Sequence, residues 1–243
     1  MPLTCRIIPC LDVKEGRVVK GVRFQDLQEK GDPAVLAATY EAQGADEIAV
    51  LDGAATPSGQ DTQLSVVEAV GRAISIPLMV GGGVRELADM GRLLEAGADK
   101  VAVNTAAVLR PGFLNEAAKA FGCQFVVLSV DALKTPKGWV VTTGGGRTLT
   151  ERPVLEWVKE AVDRGAGEIL LNAIDADGTQ AGYALELTAG AATSVAVPVI
   201  ASGGAGSPAD ILRVFTEGRA DAALAASIFH DGRFSIRDVK ACL

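Results

Sequence analysis

The chain has 243 residues, 49% of them hydrophobic and 22% charged, with a formal net charge of −7. That composition is ordinary for a folded globular protein with a sizeable core, and the acidic balance argues against a nucleic-acid binder, which shows a basic face. No apolar run reaches the roughly eighteen residues of a membrane span, and the N-terminus has no secretory cleavage site, so a cytoplasmic protein is expected.

Short apolar runs alternate with helical patterns from one end to the other. Strand 1 is predicted over Arg6–Leu11, followed by a long polar loop, Gly21–Asp32, and a helix over Pro33–Gln43. Strand 2 (Glu47–Leu51) precedes a helix over Gln63–Ala73. Strand 3 (Leu78–Val80) precedes a helix over Glu86–Ala96, and strand 4 is Lys100–Val103. Strand 5 (Phe125–Val130) leads into a short β excursion, Trp139–Thr143, three glycines at 144–146, and a helix over Pro153–Arg164. Strands 6, 7 and 8 are Glu168–Ala173, Val199–Ala201 and Ala222–Ala225. Alternating strands and helices imply a parallel sheet, and continuously apolar strands imply burial on both faces. Eight such units in this length fit a single (β/α)8 TIM barrel over residues 1–243, with a doubly wound open sheet as the alternative.

An internal repeat favours closure. Ile76–Thr105 (IPLMVGGGVRELADMGRLLEAGADKVAVNT) follows the same pattern as the stretch from Val197 (VPVIASGGAGSPADILRVFTEGRADAALAAS). Gly82, Gly83 and Gly97 match Gly203, Gly204 and Gly218 at a constant offset of 121 residues. GADEIAVLDGAAT from Gly44 matches GAGEILLNAIDADGT from Gly165, and IIPCLDVKEGRVV resembles VVLSVDALKTPKGWVV, pairing Asp12 with Asp131. The chain reads as two half-barrels, approximately 1–120 and 121–243.

The chemistry follows from that placement. Active sites of such barrels lie at the C-terminal strand ends. Asp12 and Asp131 end strands 1 and 5 on opposite sides of the mouth, where two carboxylates form a general acid/base pair if their environments separate their pKa values. Glycine-rich turns between strand and helix present backbone N–H groups to phosphate. One group is Gly82, Gly83, Asn104 and Thr105, and the other is Asp177, Gly178, Gly204, Ala226 and Ser227. Two groups suggest a ligand with two phosphates, and Lys20 either neutralises a phosphate, sits over the substrate or is a solvated lysine. At the other barrel end Arg6, Glu47, Lys100 and Glu168 begin strands 1, 2, 4 and 6. They are either solvent-facing caps or a paired ring that plugs or gates the barrel. The single histidine, His230, and four cysteines without metal spacing predict no metal site, and Cys10 reads as a core filler.

IIPCLDV-EGRVVKGV-F, GDP at 31–33, VGGGV at 80–84, GADKV-VNTAAV at 97–108, GAGEILL at 165–171, IDADGT at 174–179, IASGGAG at 200–206 and DAALAASIFH at 221–230 are specific. Over essentially the whole chain they resemble the cyclase subunits of imidazole glycerol phosphate synthase, (β/α)8 barrels of histidine biosynthesis. The resemblance implies a lyase without metal or organic cofactor. It converts phosphoribulosyl-formimino-aminoimidazole carboxamide ribotide and ammonia to imidazole glycerol phosphate and aminoimidazole carboxamide ribotide. It implies Asp12 and Asp131 as acid and base, and the two glycine-rich groups, with Lys20 and Asn172, as substrate and phosphate contacts. It also implies a glutaminase partner docked in a heterodimer at the N-terminal face near Asp99, supplying ammonia through a gate of Arg6, Glu47, Lys100 and Glu168. The loop Gly21–Asp32 would close over the substrate. The chain departs from the family pattern at Gly53 (LDGAAT, nearer to the sister isomerase), Asn172 (for threonine), Ala176 (for arginine) and Ala184 (for aspartate). Three other readings compete. They are the sister sugar isomerase, a cyclase-like barrel that hands ammonia to another biosynthetic substrate, and a catalytically weak partner that activates a glutaminase.

Overall fold

The computed structural model describes residues 5–22, 25–52 and 64–243, with the side chains of residues 20–22 and 25–27 outside that description. The LDGAAT departure at Gly53 and the helix start expected at Gln63 therefore lie outside the described residues.

Eight parallel strands close into a barrel: β1 (Arg6–Lys14), β4 (Ile48–Leu51), β5 (Leu78–Gly81), β6 (Lys100–Val103), β7 (Val126–Thr135), β10 (Glu168–Ala173), β11 (Val199–Ser202) and β12 (Ala222–Ala225). Each pairs with its neighbour, and pairing of β12 with β1 (Arg6 opposite Ala222) and of β7 with β10 (Asn172 opposite Asp131) completes the ring. The predicted strands match these closely. Glu47 sits just before β4, and Phe125 ends a 3-10 turn (Cys123–Phe125) before β7.

Alternate residues of each strand feed two cores. Outward residues such as Ile7, Val50, Val101, Val126 and Ile169 pack against the surrounding helices. Inward residues fill the barrel itself: Ile8, Cys10, Ala49, Met79, Ala102, Val127, Leu170, Ile200, Ala222 and Leu224. Burial on both sides explains why these strands read as unbroken apolar runs. Cys10, 2% exposed, is the core filler its setting predicted.

Helices α1 (Pro33–Ala42), α2 (Leu64–Ala73), α3 (Leu87–Glu95), α5 (Gly112–Phe121), α6 (Val154–Asp163), α7 (Leu185–Ser194) and α8 (Pro208–Thr216) cover the barrel, with short helices α4 (Thr105–Leu109) and α9 (Ser227–His230) after β6 and β12. A last short helix, α10 (Ile236–Lys240), ends the chain. The repeat is visible down to single bonds. Asp89 and Asp210 both accept an N–H from the preceding loop, from Arg85 (2.8 Å) and from Gly206 (3.2 Å). Asp99 and Asp221 both accept the first N–H of the neighbouring strand, from Leu78 and Val199, each at 2.9 Å.

Two hairpins stand on the C-terminal rim. β8 (Gly138–Thr143) is the expected excursion, antiparallel to the extended end of β7, and β9 (Thr148–Pro153), which was not expected, pairs antiparallel with β8. The loop expected over Gly21–Asp32 is instead a second hairpin. β2 (Arg17–Val22) pairs antiparallel with the end of β1 and with β3 (Gln25–Gly31). Its polarity hid it: ladder hydrogen bonds and the Arg17–Glu29 ion pair (2.6 Å) hold it.

Candidate active site

A cleft of about 340 Å³ opens where the barrel strands end. Asp12 and Asp131 both line it, as do Gly83, Asn104, Thr105, Asn172, Asp177, Gly178, Gly204, Ala226 and Ser227. The structure thus brings together residues dispersed over most of the chain. Lys20 belongs to β2, where it pairs with Gln28, and its side chain lies outside the described residues.

Asp131 is held from both sides. The Asn104 amide donates to Oδ2 at 3.1 Å, and the Asn172 amide donates to Oδ1 at 3.2 Å. Ser202 donates to Asn172 Oδ1 at 3.2 Å, which fixes that amide with its NH2 toward the carboxyl. Burial pushes the Asp131 carboxyl up from the ordinary aspartate range. The two amide donors pull it back in part, and the negative charge of Asp177 adds to the rise. Asp12 has a different setting, at the end of β1 where the barrel passes into a hairpin, with the Cys10 thiol 3.6 Å from Oδ1.

The two glycine turns sit at equivalent places. Gly82 and Gly83 follow β5 with φ of 100° and 69°, and Gly203 and Gly204 follow β11 with φ of 88° and 105°. A side chain at Gly82 would place its Cβ 2.2 Å from the Asp52 carbonyl oxygen, and one at Gly204 would meet the Gly182 oxygen at 2.1 Å. Only glycine fits this close packing of backbone on backbone, and both turns line the cleft, where N–H groups of such turns can approach an anion closely.

Two residues expected among phosphate contacts line the cleft and also make other bonds. The Asn104 side chain is engaged with Asp131 and with the Thr142 carbonyl (3.1 Å), so it orients the carboxyl. The Asp177 N–H bonds within its own turn, to Ala173 O at 3.1 Å, which leaves this residue a carboxylate at the cleft wall rather than an N–H donor. Sequence reasoning missed Ser202, Gly145 and Arg147. The glycine run at 144–146 was the available clue to the last two.

At the opposite end of the barrel, Arg6, Glu47, Lys100 and Glu168 form a closed ring. Arg6 pairs with Glu47 (2.7 Å) and with Glu168, and Lys100 pairs with Glu47 (2.8 Å) and Glu168 (2.7 Å). The solvated-cap reading fails, because the Glu47 and Glu168 side chains are 1% and 6% exposed. Burial alone would lower Arg6, but the carboxylates of Glu168 and Glu47 outweigh it and hold its proton more firmly. Burial raises Glu47 despite Lys100 and Arg6.

The profile of the histidine biosynthesis protein family matches residues 6–235. The chain is 54% identical over 243 residues to the imidazole glycerol phosphate synthase subunit HisF of Halalkalibacterium halodurans, covering 99% of this chain and 96% of that protein. It is 53% identical to the protein of the same name from Bacillus subtilis (strain 168), over 99% and 96% of the two chains. Another so named, from Beutenbergia cavernae, is 53% identical over 100% of this chain and 97% of its own.

Proposed function

Because the chain belongs to the HisF family of imidazole glycerol phosphate synthase subunits, we propose that it is the ammonia-using cyclase of histidine biosynthesis. The observation that carries the reading is the cleft itself, with two carboxylates on opposite walls between two glycine turns. A substrate with a phosphate at each end spans those turns and places its ribulosyl carbonyl over the barrel axis. The glycine backbone at Gly82–Gly83 with Thr105, and at Gly178 and Gly204 with Ala226 and Ser227, receives the phosphates. Lys20 is assigned to the substrate, and the Asp177 carboxylate to a sugar hydroxyl rather than to phosphate.

Ammonia adds to the carbonyl, the intermediate is cleaved, and the imidazole ring closes as aminoimidazole carboxamide ribotide departs. Each step moves protons. A carboxyl raised toward the working pH takes and returns a proton more readily than an ordinary aspartate, which suits Asp131 to acid–base work opposite Asp12. Asn104 and Asn172 keep it aimed.

The ammonia comes from a glutaminase subunit docked at the N-terminal face beside Asp99. It passes through the ring of Arg6, Glu47, Lys100 and Glu168 and along the barrel core. Among the described residues no helix is long and apolar enough to cross a membrane, in keeping with a cytoplasmic enzyme. The relatives favour this reading over the sister isomerase, over a cyclase-like barrel for another substrate and over an inactive activator.

The test is consumption of the ribulosyl substrate by the purified chain with ammonium chloride at alkaline pH, followed by absorbance. Turnover that depends on ammonia supports the assignment. Absence of turnover despite tight substrate binding would move the function to glutaminase activation.

A further inference from the structure

The arm that joins β8 to β9 is three glycines followed by Arg147, and it leans on one end of the cleft. Gly144, Gly145 and Gly146 hold φ of 63°, 67° and 83°. Such a left-handed run, which glycine adopts without steric cost, folds the arm back on the mouth. The Gly144 N–H donates to Thr105 Oγ1 at 3.0 Å, tying the arm to the first-half glycine turn and its neighbour α4. Gly145 and Arg147 line the cleft, and the guanidinium lies over Gly145, where an added Cβ would come within 3.5 Å of Nη2.

Charge makes this arginine conspicuous. The described cleft wall carries the carboxyls of Asp12, Asp52, Asp131 and Asp177 against the cations of Lys14 and Arg147. An acidic wall repels a doubly phosphorylated ligand unless a cation meets each anionic end. Arg147 has no ion pair among the described residues, although many other arginines of the chain do. Lys14 ends β1, three strands around the barrel from β6, whereas Arg147 stands on the arm bonded to Thr105.

We propose that Arg147 is the charged half of the first-half phosphate site. Its guanidinium closes over a phosphate monoester seated against Gly82, Gly83 and Thr105, and so sets which end of the substrate lies in that half. The planar fork of donors matches phosphate oxygens, and the glycine hinge lets it approach without moving the barrel. The identity of the substrate rests on the cyclase reading, whereas the phosphate chemistry does not.

The test combines two measurements on the wild type, Arg147→Ala and Arg147→Lys. Calorimetric titration with inorganic phosphate reads the site alone. Steady-state kinetics with the ribulosyl substrate and ammonium chloride read it in turnover. Loss of a charge-assisted phosphate contact weakens binding about tenfold or more. Arg147→Ala is therefore expected to lose one phosphate-binding event and to raise KM about tenfold, with kcat changed far less. Arg147→Lys falls between, and thermal stability is unaltered because the residue is exposed. Unchanged phosphate affinity or unchanged KM in Arg147→Ala, or no phosphate binding by the wild type, overturns the proposal. A wild type that binds phosphate through Arg147 but never turns over with ammonia overturns the cyclase reading and leaves the phosphate contact standing.

Discussion

Asp131 concentrates the chemistry of single residues, because each of its carboxyl oxygens receives an amide N–H inside a buried setting. Asp131→Asn removes the base and keeps the shape, so turnover should vanish while substrate affinity changes little. Near-normal turnover in that variant would sink the assignment. Stability gives a separate check. A carboxyl raised by burial binds its proton more tightly in the folded chain than in the unfolded one. Between the ordinary value near about 4 and the raised folded value, stability therefore falls as pH rises. Asp131→Asn abolishes that titration. Its stability relative to the wild type should climb with pH above about 4 and stay flat below. Urea unfolding at a series of pH values measures this, and a flat difference throughout would contradict a raised Asp131. Ala184 offers a gain instead. It is the N-cap of α7 and makes no side-chain capping bond, while Ser207 caps α8 through the Asp210 N–H. Ala184→Asp should stabilise the protein by about 1 kcal/mol, read as a higher urea midpoint; no rise would mean the cap geometry is unsuited. Asp131 was legible in the sequence because the repeat pairs it with Asp12. Its orienting partners were not. Asn172 reaches it only because β10 and β7 pair in that register, and the apolar pattern of two buried strands leaves register open.

Hairpins at the mouth belong to the scale of whole elements. The barrel strand starts were readable to within a residue because each strand is apolar on both faces, whereas β1 and β7 run on to Lys14 and Thr135, past the apolar runs, where they pair with the rim hairpins. The β2–β3 hairpin was not, since a rim element facing solvent carries no hydrophobic alternation and takes its form from pairing with β1. Its position has a consequence. Lys30 on β3 pairs with Asp231 beside α9 at 2.8 Å. Tyr40 bonds His230 Nδ1 at 2.6 Å, and His230 Nε2 lies 2.9 Å from the Cys10 carbonyl oxygen. That carbonyl can only accept, so Nε2 carries the hydrogen. The hairpin after strand 1 is thus tied to the segment after β12, as the β8–β9 arm is tied to Thr105 after β6. Removing the Lys30–Asp231 tie should loosen the hairpin and weaken substrate retention. Lys30→Ala and Asp231→Asn are each expected to raise KM severalfold. A half-exposed ion pair contributes about 1 kcal/mol at most. The double variant should be little worse than either single one. Strict additivity of the two effects would show that the pair does not act as a unit.

Across the whole molecule, the cleft and the charged ring sit at opposite ends of one barrel. From Arg6 to Asp12 along β1 is about 20 Å at a strand's rise of roughly 3.3 Å per residue, with the ring at one end and the cleft at the other. Between them the barrel is filled by the inner core, partly with small side chains, Ala49, Ala102 and Ala222. The ring is costly to break: a buried ion pair that loses one partner leaves an uncompensated charge, at about 3–5 kcal/mol. Glu47, though paired through Oε2, keeps its Oε1 buried without a hydrogen-bond partner among the described residues, and burial raises its carboxyl. A folding device alone would need no such arrangement, because apolar residues of similar volume fill a barrel end as well or better. A gate does need it, as paired charges close the tube yet part when one of them finds another partner. Lys100→Ala separates the two roles. Free ammonium reaches the cleft from the open mouth, so turnover on ammonium chloride should stay within about twofold of wild type if the barrel remains folded. If the ring is the gate, ammonia released by a glutaminase partner crosses it, so glutamine-driven turnover should change, either uncoupled from glutamine hydrolysis or slowed. Lys100→Met, which keeps the side-chain volume without the charge, controls for packing. Equal loss with both nitrogen sources in both variants would mean that the ring holds the barrel together and does not gate it.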